Sequence, residues 1–408
     1  MEFGPIFRAM TRNRARFVLI VLEVALTLAL VVNCVTMILG ARAQIARSTG
    51  YDEENLILVR AEPIEEAYRD EEHTNRVTAE DTAALRAMPG VKAVSQTSFR
   101  PWAGGMSLTA LQVPGHPERE NIGTQIYPAD PHIFDALGVE VSAGRTFTAA
   151  EFETGSGEDV PNVPVVLSRK LAEVLFPGGD AAGAVGKEVR FPGDDGGALT
   201  VVGVFEPFYK SHPESAERAL IVPDRSGGYD SGISYLVRTE PGQSQAVLAD
   251  LEATLLRVDA GRLLRLQPLP EVRRQAQMRN RILIYALNAV MALLLFVTGL
   301  GIVGLTSFSV AERRRQIGTR RALGATRNDV LRYFLLENWV VTTCGVVLGV
   351  ALAVGLNVGL VNLVEGQRLA WPALATGVVL LWGIGLVSAL GPALRAAQVP
   401  PAIATRNV

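Results

Sequence analysis

Cysteine is nearly absent from this chain: of 408 residues only two, Cys34 and Cys344, are cysteine. Both fall inside apolar stretches, so a disulfide between them would need two membrane helices to meet at one depth, and free thiols are expected. The long polar middle of the chain has no cysteine at all, which excludes a disulfide framework and a cysteine-based metal site there. That part must hold together by an ordinary core, and its length makes one feasible. Histidine is almost as scarce. His73, His116, His132 and His212 show no HExxH or paired spacing, so each reads as a surface or satisfied polar residue and not as a metal ligand. No GxSxG elbow supports a Ser/His/Asp triad. No GxxxxGK[ST] loop supplies the backbone cradle and lysine that nucleotide phosphates require.

Long apolar runs are what the chain does have. Hydrophobic residues make up 49% and charged residues 20%, too apolar for an ordinary soluble protein and too charged for one lying wholly in a bilayer. The first run, Phe17 to Gly40, interrupted by Glu23 and Asn33, reaches roughly 36 Å as a helix, enough to cross a hydrocarbon core of about 30 Å. Ala41-Arg-Ala43 resembles a signal-peptide cleavage site, but the run is well beyond the usual length of a signal h-region, so a retained anchor is expected. Three further spans are expected at 282–310, 335–364 and 371–394.

Charge decides their orientation. Residues 41–282 hold 25 basic and 35 acidic residues, so the rest of the chain is basic. Arg8, Arg12, Arg14 and Arg16 precede the first span. Arg313, Arg314, Arg315, Arg320, Arg321, Arg327 and Arg332 lie between spans two and three, and Arg395 and Arg406 follow span four. The loop between spans three and four holds only Glu365 and Arg368. The positive-inside rule therefore places the N-terminal segment 1–16, the connection 311–334 and the tail 395–408 in the cytoplasm, with residues 41–281 outside. An acidic bulk with basic segments beside apolar helices fits membrane topology and not nucleic-acid binding.

Span three carries Gly345, Gly349, Gly355 and Gly359, two small-xxx-small repeats that let another helix approach, either within the subunit or across a dimer. Glu23 is costly at its depth and should face protein, water or a basic partner; a structural polar contact and a proton relay are the two readings.

The large domain reads as α+β. Leu56 to Val59, Val91 to Ser98 and Ile233 to Arg238 are strand-like, and Thr78 to Met88 and Gln243 to Val258 are helical by spacing. This is a split βαβ-type subdomain whose halves are separated by a β-rich insertion over about 110–220, rich in glycine and proline turns such as Pro192 to Gly197. Ala41 to Thr49 and Leu269 to Arg281 continue the adjacent spans as stalk helices. The acidic run Glu62, Glu65, Glu66, Asp70, Glu71 and Glu72 reads as a solvated face or loop.

The connection Ala311 to Val330 holds two short helix-compatible pieces divided by Gly324-Ala-Thr326. An arginine-rich helix beside a membrane has a plain explanation in lipid headgroups; the sharper one is a docking helix for a cytoplasmic partner. Here a specific resemblance enters. Glu312 to Ala325 resembles the ER-x-x-EIG-x-x-RALGA pattern of the MacB/FtsX-like permease family. Gly391-Pro-Ala-Leu-Arg-Ala-Ala-Gln-Val-Pro-Pro401 resembles that family's closing segment. Gly144-Arg-Thr-Phe-Thr148, Val166 to Ala172 with Leu175-Phe-Pro177, Gly186-Lys-Glu-Val189 and Val201-Val-Gly-Val204 are similar to its periplasmic core. The pieces occur in the family's order over nearly the whole chain.

The resemblance implies a bacterial inner-membrane permease subunit of an ABC-type exporter, working by mechanotransmission as a homo- or heterodimer. ABC ATPase subunits, two per complex, would dock on Glu312, Arg313, Arg315, Gln316, Ile317, Arg320, Arg321, Ala322, Leu323, Gly324 and Ala325. ATP and Mg would sit on those subunits and not on this chain, which has no phosphate loop and is expected to have no catalytic or metal site. In many relatives a membrane-fusion adaptor and a TolC-like outer-membrane duct receive the substrate. Gln316 stands where the family usually has glutamate, so an ion pair there is not assumed. Two other readings stay open: an FtsX-like force transmitter acting on a periplasmic partner without transport, and a membrane sensor.

Overall fold

A computed structural model describes residues 14–103, 107–155, 160, 162–193, 197–206, 217–224, 232–364 and 369–400. Arg8, Arg12, His212, Glu365, Arg368 and Arg406, invoked above, lie outside them, as does part of the 192–197 turn. The first half of the chain runs α1 (Arg14–Ala46), β1 (Leu56–Pro63), α2 (Glu71–Arg86), β2 (Val91–Gln96), β3 (Ser107–Leu111), β4 (Ile122–Ala129), α3 (Ile133–Leu137), β5 (Val141–Gly144), α4 (Ala149–Thr154), β6 (Asn162–Ser168) and α5 (Arg169–Leu175). It continues through β7 (Glu188–Val189), β8 (Ala198–Phe205), β9 (Ala219–Pro223), β10 (Ile233–Thr239), α6 (Ser244–Val258), β11 (Arg262–Pro268), α7 (Leu269–Ala276), α8 (Met278–Glu312), α9 (Arg314–Ala322), α10 (Arg327–Val364) and α11 (Trp371–Ala397). Residues 47–278 form one unit and the flanking helices another.

In the first unit, a four-stranded antiparallel sheet has the order β11-β1-β10-β2. β1 and β2 both pair antiparallel with β10, so β1–α2–β2 is half of a split βαβ arrangement and β10–α6–β11 is the other half. Ile57, Val59 and Ala61 of β1 pack beneath α2 and α6 with Val77, Leu85, Val247, Leu251 and Leu255. Leu56 and Leu58 point to the opposite face, into a second core. Burial on both faces explains why Leu56-Ile-Leu-Val59 is continuously apolar instead of alternating.

The insertion, β3 to β9, forms a second sheet of order β3-β4-β9-β6-β8-β5, with β7 on β8. Its own core gathers Val163, Val165, Leu171, Leu175, Val201 and Leu220. The two subdomains share a core in which Leu56, Leu58 and Leu236 meet Phe99, Tyr127, Phe134, Phe205 and Ile221. Polar contacts close the same seam. Asp130 Oδ1 accepts from Ser95 Oγ at 2.6 Å and from the His132 amide at 3.0 Å. Arg238 donates to Asp52 Oδ2 at 2.8 Å and to the Asp135 carbonyl at 3.2 Å. Its guanidinium lies over Gly138, where the chain turns with φ 69°, and a Cβ there would stand 2.9 Å from it. Only glycine suits both the left-handed turn and that approach.

The acidic run is solvated, with Glu65, Glu66, Asp70, Glu71 and Glu72 all exposed, and its last part is helix face and not loop. Asp70 caps α2, accepting from the Glu72 amide at 3.3 Å, and Glu71 and Glu72 occupy the first turn. Carboxylates there complement the unpaired amides and positive end of the helix. Helical periodicity starts only where apolar residues recur, which is why the spacing places the start later, at Thr78.

A capping box opens α4. Thr148 Oγ1 accepts from the Glu151 amide at 3.2 Å while Glu151 Oε2 accepts from the Thr148 amide at 2.7 Å. Hydrogen bonds from Arg145, then from Thr148, hold the Glu151 carboxyl down at about 2, against an ordinary value of 4.5. A depressed carboxylate stabilises above its unfolded value and loses that contribution as pH falls through the folded one. The protection of α4 in hydrogen exchange is therefore expected to fall between about pH 4.5 and 2. Glu151→Gln should flatten that dependence.

In the second unit, α1, α8, α10 and α11 are long and apolar enough to cross a membrane. α1 is the hub: Val24, Ala25, Leu28 and Val32 are fully buried among α10 and α11. A Cβ on Gly345 would meet Val24 Cβ at 2.7 Å, and one on Gly349 would meet the Ala25 carbonyl oxygen and Leu28 Cβ at 2.9 Å. The first small-residue pair thus serves packing within the chain. Among the described residues, Gly355 and Gly359 have no such neighbour within 4 Å. Polar rungs cross the bundle at Thr27 Oγ1 to Thr298 Oγ1 (2.8 Å), Asn357 Nδ2 to Asn33 Oδ1 (3.3 Å) and Asn338 Nδ2 to the Gly385 carbonyl (2.8 Å). The Glu23 carboxylate rests in the notch at Gly301, one turn from the Thr27–Thr298 rung.

Helix ends differ from the apolar boundaries. α1 extends to Ala46 and α10 begins at Arg327, because backbone hydrogen bonding continues past the point where side chains turn polar. The connection 311–334 is consequently not one helix: α8 ends in it, α9 stands alone, and α10 starts within it.

Candidate functional site

The connection between α8 and α10 is built around α9. Gly324, with φ 100°, ends that helix in the left-handed conformation glycine tolerates best. The next helix is then started by a reciprocal cap: Thr326 Oγ1 accepts from the Asp329 amide at 3.2 Å and Asp329 Oδ2 accepts from the Thr326 amide at 3.0 Å. These two devices fix the turn that the Gly324-Ala-Thr326 spacing suggests.

α9 has an anchored face and an open face. On the anchored face, Ile317 and Gly318 are buried, Ile317 against Val310, Val330, Phe334, Ala393 and Ala396. Arg313, just before the helix, donates through Nη1 to both Glu337 oxygens at 3.0 and 3.1 Å, in half-buried surroundings. Arg321 Nη1 donates to the carbonyls of Ala397 and Val399 at 3.0 and 2.9 Å. It satisfies the carboxyl-terminal end of α11, where the last carbonyls lack intrahelical donors and the helix dipole favours a cation. The closing segment Gly391 to Pro400 is thus the surface against which α9 packs.

On the open face, Glu312, Arg314, Arg315, Gln316, Thr319, Arg320, Ala322, Leu323 and Gly324 are exposed, with Ala325 half-buried. Leu323 is 84% exposed, unusual for a leucine bracketed by arginines. The Arg320 guanidinium lies 5.2 Å from the centroid of the Tyr333 ring, which holds it in place by cation–π attraction without removing it from the surface. The surface therefore combines positive charge, a bare apolar side chain and a helix end. It suits an acidic partner with an apolar groove.

Of the residues the sequence groups together as docking candidates, Arg313, Ile317 and Arg321 therefore attach the helix to its own chain, and the others present a surface. Sequence reasoning missed Glu337, Tyr333, Phe334 and the α11 carbonyls as their supports. Glu337 had one signal: a carboxylate at the start of an apolar span needs a cation.

Among the described residues no group of three or more His, Cys, Asp or Glu side chains converges as a metal site. His73, His116 and His132 each stand near a local carboxylate, Asp259, Glu118 and Asp135 respectively.

Residues 17–254 match the family model described as the MacB-like periplasmic core domain, and residues 288–401 match the FtsX-like permease C-terminal model. An uncharacterized ABC transporter permease, YvrN, of Bacillus subtilis is 26% identical over 98% of both chains. The macrolide export ATP-binding/permease protein MacB of Bdellovibrio bacteriovorus is 26% identical over 98% of this chain and 60% of its own length, so the present chain spans less than two thirds of that relative. Among solved structures, the periplasmic region of MacB from Actinobacillus actinomycetemcomitans aligns with 57% of this chain and 96% of its own, at 17% identity and a TM-score of 0.37.

Proposed function

We propose a function for this chain from one premise: it belongs to the MacB-like, FtsX-like family of ABC transporter permeases, and is an inner-membrane protein with a periplasmic domain. The proposal is that it is the export subunit of a mechanotransmission transporter. ATP is hydrolysed on separate ABC ATPase subunits, and the permease acts as a dimer. Both termini and α9 lie in the cytoplasm.

The observation that carries the reading is the two-sided build of α9. Its inner face is tied to α10 through Arg313–Glu337 and to the end of α11 through Arg321, so displacement of the helix is passed to two membrane spans at once. Its outer face is what a motor would grip. Substrate is then handled outside the membrane or at its outer leaflet. An adaptor and a TolC-like duct on the far side complete the route, as the family resemblance of the sequence implies.

The test separates grip from anchorage. Arg315→Glu with Arg320→Glu should abolish co-purification of the ATPase, because several exposed cations facing an acidic partner act together. The Arg321→Ala variant should still bind the ATPase yet lose ATP-dependent export. Retained attachment in the charge-reversed variant, or labelling of Leu323→Cys by an impermeant thiol reagent from outside intact cells, would sink the proposal.

A further inference from the structure

The chain passes into the 47–278 unit at Arg47 and leaves it at Met278. Within the unit, the residues next to both crossings meet at one side chain, Arg273 of α7. Its Nη1 lies 2.6 Å from Glu53 Oε2, in a half-buried ion pair. Its Nη2 donates to the Arg47 carbonyl at 3.0 Å. Its guanidinium stands 5.4 Å from the centroid of the Trp102 ring. Arg47 in turn pairs with Glu217.

These partners come from separate parts of the domain. Arg47 is the first residue of the unit and Arg273 belongs to its last helix. Glu53 leads into β1 of the split subdomain, while Trp102 and Glu217 flank the strands of the insertion. α7 is seated in the shared core by Leu269 and Val272. Trp102 sits at φ 63°, a left-handed conformation that a bulky residue keeps only where its surroundings hold it. Burial pushes the Glu53 carboxyl up and Arg273 pulls it back, while Glu53 Oε1 is buried without a hydrogen-bond partner among the described residues. Removing the arginine would leave a carboxylate poorly solvated at this point.

We infer that Arg273 is the coupling residue of the ectodomain, the point at which the incoming and outgoing chain are locked to each other and to both subdomains. A relative movement of the first and second spans then reaches the periplasmic domain as motion of one body instead of being absorbed at two independent hinges. A planar guanidinium is needed, because one group must bond a carboxylate and a carbonyl and face a ring at once. This inference rests on the function proposed above.

The experiment uses the full chain with its ATPase in nanodiscs and follows hydrogen exchange over residues 47–278 with and without Mg-ATP, alongside the rate of ATP hydrolysis. In the wild type, ATP should change exchange in the ectodomain. In Arg273→Ala that change should fall at least about fivefold, while ATPase attachment and hydrolysis persist. Arg273→Lys should recover part of it. Glu53→Gln, which keeps the shape and loses the charge, provides the test should the alanine variant not fold. A folded Arg273→Ala with a wild-type response overturns the inference and leaves the proposed function standing. Exchange raised throughout 47–278 without ATP in both variants makes Arg273 merely structural and also overturns it. A wild type whose ectodomain ignores ATP removes the proposed function and this inference together.

Discussion

Replacing Arg262 with alanine is expected to destabilise the periplasmic domain by about 3–5 kcal/mol, the usual result of breaking a buried ion pair from one side. The side chains of Arg262 and Asp81 are both fully buried. Their contact is bidentate, with Arg262 Nη2 donating to Asp81 Oδ1 at 2.6 Å and Nη1 paired with Oδ2. The remaining capacity is used as well: Arg262 donates to the carbonyls of Leu255 and Asp259, and Tyr235 donates its hydroxyl to Asp81 at 2.7 Å. The network joins α2, β10, β11 and the end of α6, which are the two halves of the split subdomain. Alanine at 262 would leave the Asp81 carboxylate and the Tyr235 hydroxyl in an interior with no compensating cation. Hydrogen exchange of α2 and β11 in the full-length protein should report a loss of that size. A change below about 1 kcal/mol would mean that water reaches Asp81, as it does at exposed pairs.

Gly349→Leu and Gly359→Leu are expected to separate sharply, although both glycines lie on α10. At 349 even the first added carbon would press on the Ala25 carbonyl oxygen and on Leu28 Cβ, atoms that cannot rotate away. The helices must part, at a cost above the roughly 1–3 kcal/mol typical of overpacking that side chains absorb. Thermal unfolding in detergent, read by tryptophan fluorescence to which Trp382 in the same core contributes, should shift downward strongly. At 359 no described atom outside the helix lies within 4 Å of the added carbon, so the monomer should melt as wild type. If that second glycine pair faces a second permease copy, the same substitution lowers the dimer fraction in cross-linking, and a full dimer yield would show that it faces lipid.

Both expectations concern residues whose importance differs in legibility. The small-residue repeat is visible as a spacing, but spacing alone treats Gly345, Gly349, Gly355 and Gly359 alike. Only the position of α1 divides them. Asp81 and Arg262 lie 181 positions apart, with the whole insertion between them, and each reads alone as an ordinary charge on an amphipathic element. No local pattern announces such a pair, because its energy comes from shared desolvation and not from sequence neighbourhood. The same holds at Arg273, which in sequence is one of several stalk arginines.

The helix α9 shows the division most clearly. Its place between two apolar spans, its glycine stop and its threonine–aspartate restart are local events, set by backbone preference and capping within a few residues. Which of its arginines stay on the surface and which anchor it depends on where Glu337 and the end of α11 fall, and those are brought near only when α10 and α11 pack.

The sequence by itself determined the four spans, the split ectodomain and the family pattern, because hydrophobic runs, turn residues and caps act over short range. Tertiary structure alone decided the partners of Arg262, Arg273, Arg313 and Arg321. A charge removed from water is stabilised only by groups that folding delivers, and those lie elsewhere in the chain.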